Sequence, residues 1–137
     1  FNLRHPRRDG AIISLAGPVS NLILAVFCSL LLHAFVSFRI SLFVYLLIGL
    51  LQPLIVLNVV LAVFNLIPIH PLDGFKIVGG ILPEEYAHQW AELEGYGMIF
   101  LILLILPLAG GVSPVSQLIS PVINVLLRML LPTAQII

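Results

Sequence analysis

Two apolar runs without a single Asp, Glu, Lys or Arg, Ala11 to Phe38 and Ile40 to Leu66, constrain this chain more than anything else in it. At ~1.5 Å per residue in a helix, each is long enough to cross ~30 Å of hydrocarbon. Arg39 alone separates them. Water cannot satisfy backbone N–H and C=O groups inside lipid, so a spanning segment must close its own hydrogen bonds, as a helix does. The expected fold is therefore all-α, a polytopic transmembrane helical bundle of about three to four spans at ~20 residues per span. The expected spans are residues 11–38, 40–66, 90–109 and 112–131, within one membrane domain covering 1–137.

Composition agrees. The chain is 61% hydrophobic and 9% charged, where a soluble domain carries about 25% charged residues. Net charge is zero, so the basic footprint of a nucleic-acid binder is missing. The single cysteine, Cys28, cannot form an internal disulfide.

The later spans are less regular. Tyr96 to Ala109 is short before Gly110 and Gly111, so its helix is expected to begin nearer Trp90. Residues 112–131 carry Pro114, Gln117, Pro121, Asn124 and Arg128, and either span or lie at the interface. With four spans, Arg4, Arg7, Arg8, Lys76 and Arg128 fall on one side and Arg39 on the other. The excess of cations places both ends of the chain in the cytoplasm. The basic opening segment reads as an orientation signal beside phosphate headgroups. It lacks the order of a signal peptide, and a start at Phe1 suggests a piece of a longer protein.

The second run ends in Asn65-Leu66-Ile67-Pro68-Ile69-His70-Pro71-Leu72-Asp73-Gly74. Its prolines break the helix, and Gly74 permits a turn or a close backbone approach. Asp73 is an acid beside a membrane segment, costly to ionise without a cation, and so a functional-site candidate. Asn58 and Asn65 are seven residues apart, on one helix face turned toward protein. Asn65 has two readings: it caps the helix end, or it lines a site and donates to a polarised carbonyl. His70 is given a structural or supporting role, since Pro71 argues against a helix that would pair it with Asp73. Glu84, Glu85, Glu92 and Glu94 read as a solvated helix face. Near the start of the first run, Ala16-Gly17-Pro18-Val19-Ser20-Asn21 offers small residues for close helix approach.

Asn-x-x-Pro-x-x-Pro-Leu-Asp-Gly, preceded by Ala-Gly-Pro-x-x-Asn, resembles the site-2 protease family of intramembrane zinc metalloproteases. The resemblance spans most of the chain, from Phe1 to about Ile105. It implies zinc as cofactor, Asp73 as one zinc ligand, and transmembrane protein segments in the lipid bilayer as substrates. In that family two further ligands and the general base come from a His-Glu-x-x-His helix. No such motif occurs here: His5 and His70 precede Pro, His33 precedes Ala and His88 precedes Gln. Three readings follow, in descending order. The chain is the C-terminal part of a protease, or a non-catalytic homologue that binds membrane helices, or a small transporter or assembly subunit with a structural Asp.

Overall fold

A computed structural model describes residues 6–37, 42–107 and 111–132. They form helices α1 (Pro6–Ser37), α2 (Leu42–Asn65), α3 (Asp73–Ile81), α4 (Glu84–Glu92), α5 (Gly97–Ile105) and α6 (Pro114–Leu130), with a 3-10 turn, Leu93–Tyr96, between α4 and α5. No strand occurs among the described residues. Arg39, read as the turn between the first two spans, lies outside them.

The first helix begins before the apolar run does. Pro6 suits the first helical position, where its missing N–H costs nothing, and Asp9 complements the positive end of the helix. Arg7 and Arg8 are thus helical. α2 continues through Pro53 without interruption. Residues Pro6–Val36 and Leu42–Asn65 are both long and apolar enough to cross a membrane.

The two long helices meet through Ala25, Cys28 and Leu32 on α1 and Ile55 and Val59 on α2, all buried. The small Ala25 and Cys28 leave room for the branched side chains opposite. α6 closes one side of this seam with Ile123, Leu126, Leu127 and Leu130. Its C-terminal end is tied to α1 by the buried Ser29 hydroxyl, which donates to the Leu130 carbonyl. The outward faces are apolar too: Leu30 is 66% exposed and Leu42 78%. A soluble monomer rarely carries an apolar surface of that extent.

Within the stretch expected as a third span, Trp90 belongs to α4, the 3-10 turn follows, and α5 has nine residues, a rise of ~13 Å. Gly97 lies where this segment touches the loop after α2: a Cβ there would lie 2.4 Å from His70 Cβ and 2.5 Å from the His70 carbonyl oxygen.

α3 lies antiparallel along the start of α1. A Cβ on Gly80 would stand 2.3 Å from Ala11 Cβ and 2.9 Å from the Arg7 carbonyl oxygen, so the helices touch nearly backbone to backbone. Arg7 then caps the end of α3, donating to the carbonyls of Gly79 at 3.0 Å and Leu82 at 2.7 Å. The sequence reads Arg7 as part of a basic segment beside headgroups; its guanidinium also satisfies C-terminal carbonyls that the helix leaves open. Arg7→Ala is expected to cost about 1 kcal/mol. Amide exchange at Ile81 and Leu82 should quicken while that of α2 holds. Unaltered exchange at the end of α3 would show that the cap contributes nothing.

Candidate functional site

α2 ends at Asn65, and the next seven residues fold as successive tight turns. Leu66 N–H donates to Val63 O and Ile67 N–H to Phe64 O, drawing the helix end tight. Ile69 N–H then donates to Ile67 O and Leu72 N–H to Ile69 O, both at 2.8 Å. The His70–Pro71 peptide is cis. Pro68 and Pro71 cannot donate to a continuing helix, so the chain turns back instead. Ile67 packs inward at 5% exposure and fixes the turn to the core.

Asp73 is the first residue of α3. Its carboxylate therefore sits at the positive end of that helix. The close approach expected of Gly74 is present: a Cβ there would meet the Leu66 and Ile67 carbonyl oxygens at 2.3 and 2.4 Å. The start of α3 is thus seated directly on the end of α2.

Across from it, α1 presents Gly17, whose Cβ, were there one, would lie 3.3 Å from Asp73 Oδ2. The small residues of Ala16-Gly17-Pro18 were read as allowing close helix approach. What approaches is the carboxylate of the Asp motif itself. Spacing along the chain carried no signal for that pairing.

Asn58 and Asn65 behave differently although they share a face. Asn58 is 5% exposed, and its amide donates to the Leu54 carbonyl one turn back, at 2.8 Å. Asn65 is half-buried at the last position of α2, with residues 66–72 between it and Asp73.

A second layer holds α3 from the outside. Phe75 is buried and stacks on Trp90, ring centroids 5.0 Å apart. Trp90 Nε1 donates to the Phe75 carbonyl at 2.9 Å. His70 meets Phe75 edge-on at 5.8 Å and places Nδ1 3.5 Å from Glu94 Oε1. His70 thus has a structural setting, and Glu94, read as part of a solvated face, is exposed while also reaching the His70 ring. Trp90 is half-buried in this layer.

A half-buried carboxylate at a helix start is chemically suited to bind one face of a divalent metal. Among the described residues, no group of three or more His, Cys, Asp or Glu could hold a metal ion. Asp73 fits as one ligand of a set, and the described residues do not complete that set.

The family model of Peptidase family M50 matches residues 41–109, which include Asn65, the turns and Asp73. The chain belongs to this family. The resemblance drawn from the Asp motif is thereby borne out. This M50 chain is also 40% identical over 113 residues to a protein of Bacillus subtilis (strain 168) named "Putative zinc metalloprotease YwhC". That alignment covers 80% of this chain and 52% of the relative, so the chain spans about half the length of the protein it matches. No solved structure matches it. Family M50 supports protease and zinc at the level of the family.

Proposed function

We propose that this chain forms part of an intramembrane zinc metalloendopeptidase that cleaves transmembrane segments of other proteins, with Asp73 as one zinc ligand. The observation that carries this is the position of Asp73. It stands at the helix break that follows the apolar helix α2, inside the stretch matched by family M50. Zinc, when bound, lowers the pKa of its water to about 7 and so supplies a nucleophile at neutral pH.

The chain's own residues have simpler tasks. Asp73 offers its carboxylate to the metal. The irregular backbone of residues 66–72 gives the site polar lining, tolerated at membrane depth only where protein or water surrounds it. Asn65, at the end of α2, is the residue to donate a hydrogen bond to a substrate carbonyl. Gly74 seats α3 so that this geometry repeats from molecule to molecule. The two further ligands and the general base belong to a part of the protein outside this sequence, as the match to half of a longer relative supports.

The bilayer is the setting. α1 and α2 are of spanning length, and residues 1–137 act as one membrane domain, with α6 and the segment containing α5 as the weaker spans. The cation count along the sequence favours cytoplasmic ends, with Asp73 toward the cytoplasmic side.

Metal removal tests the reading. The full-length protein, reconstituted with a transmembrane substrate, should lose cleavage when stripped by a chelator and regain it with stoichiometric zinc. Cleavage that survives complete stripping would sink the proposal. Binding of transmembrane segments without hydrolysis by the zinc-loaded full-length protein would favour the non-catalytic homologue. A fall in melting temperature on replacing Asp73, in a protein whose zinc content does not depend on that residue, would favour the structural-Asp alternative.

A further inference from the structure

We propose that Gly17 is a positioning residue for the Asp73 carboxylate: the missing side chain on α1 sets where that carboxylate can stand. This rests on Asp73 acting as a metal ligand, and goes beyond it by assigning a role to a residue fifty-six positions earlier in the chain.

α3 is held from behind, because Gly74 leaves no gap between its first turn and the Leu66 and Ile67 carbonyls. Its far end is held by Gly80 against Ala11 and by Arg7 on the carbonyls of Gly79 and Leu82. Its outer face is held by Phe75 against Trp90. Helix α1 is fixed in turn by its seam with α2. Volume added at position 17 therefore cannot be absorbed by the two helices parting.

What remains free is the rotation of the Asp73 side chain. A methyl group at position 17 would stand 3.3 Å from Oδ2, tighter than ordinary contact, and would displace the carboxylate by a few tenths of an ångström. A branched side chain would drive it out of its present rotamer. Metal–ligand distances hold within about ±0.2 Å, so small displacements register as lost affinity. Residues that orient a ligand without touching the metal commonly account for about 10–100-fold in metal affinity.

The experiment is a graded series in the full-length protein, Gly17→Ala and Gly17→Val, beside Asp73→Ala and Gly10→Ala. Gly10 lies on the same helix with open space around it, so it controls for helix propensity. Zinc affinity is read by chelator competition, and ligand geometry by the visible spectrum of the cobalt(II)-substituted protein. Melting temperature is followed for each variant. The expected result is weaker zinc binding for Gly17→Ala, by up to about 10-fold, and for Gly17→Val by about 100-fold. The cobalt spectrum should shift, Gly10→Ala should match wild type in zinc affinity and cobalt spectrum, and Gly17→Ala should melt no lower than wild type.

If Asp73→Ala loses zinc while both Gly17 variants bind it as wild type does, the positioning role is wrong and the ligand reading stands. If Asp73→Ala keeps wild-type zinc affinity, the ligand reading fails and takes this inference with it. A loss of affinity in Gly17→Ala that merely tracks a fall in melting temperature, with an unshifted cobalt spectrum, would also overturn it.

Discussion

Asp73→Ala in the full-length protein is expected to abolish zinc-dependent cleavage and to leave the chain folded. The first half follows from the charge. An alanine offers the metal nothing, and removing a direct ligand must cost at least the ~100-fold in affinity that losing a supporting group can cost. The second half follows from how α3 begins. Its start is secured by the Phe75 N–H donating to Leu72 O and by Gly74 seated on the end of α2. Neither contact uses the Asp73 side chain. The favourable placement of an acid at a helix start is worth about 0.3–1 kcal/mol, and alanine's helix propensity returns part of that. Zinc content, cleavage and melting temperature measured on one preparation separate these effects. A variant that keeps both zinc and cleavage would remove Asp73 from the site; one that loses zinc only because it has unfolded would leave the ligand assignment unsupported. Asp73→Asn sharpens the comparison, since it preserves shape and removes charge, and it should behave like the alanine variant.

The sequence made some of this legible and concealed the rest for identifiable reasons. Asp73, the helix break and the close approach at Gly74 were readable because they depend on local rules: proline lacks a donor, glycine lacks a Cβ, and an acid beside an apolar run needs a partner. The start of α4 at Glu84 obeys the same local rules, with Pro83 before it and two acids in its first turn. The pairing of Gly17 with Asp73 was not readable. Hydrophobicity along α1 is almost unbroken, so no periodicity tells which face turns toward α3. The capping role of Arg7 was hidden for a related reason: a cation before an apolar run has a general explanation at the headgroups, and its carbonyl partners lie more than seventy residues away. The form of the third expected span was not readable either. A run of apolar residues reports solubility in lipid, not the kind of helix. The 3-10 turn Leu93–Tyr96 lies beside the contact of Gly97 with the backbone of His70, which no local pattern encodes.

Gly74→Ala should be the most destabilising single methyl group that can be added around this motif. The atoms it would strike are backbone: the Leu66 and Ile67 carbonyl oxygens at 2.3 and 2.4 Å and the Leu66 carbonyl carbon at 2.5 Å. No side chain can rotate away, so α3 must lift from the end of α2 by about 1 Å to restore ordinary contact. Overpacking of this kind costs about 1–3 kcal/mol, and the backbone nature of the atoms it meets argues for the upper end. Gly49→Ala is the matched control, because nothing lies within 4 Å of that position on α2. There the same change should stabilise by about 0.5–1 kcal/mol through helix propensity alone. Thermal melts of both variants in detergent should therefore move in opposite directions. Equal melting temperatures would contradict the seating of α3 on α2. The two substitutions at the motif also divide its physics: Asp73→Ala removes zinc at nearly constant stability, whereas Gly74→Ala lowers stability and, by lifting the residue next to it, should weaken zinc as well. Independence of zinc affinity from Gly74 would mean that the carboxylate, and not the helix that carries it, adapts to the metal.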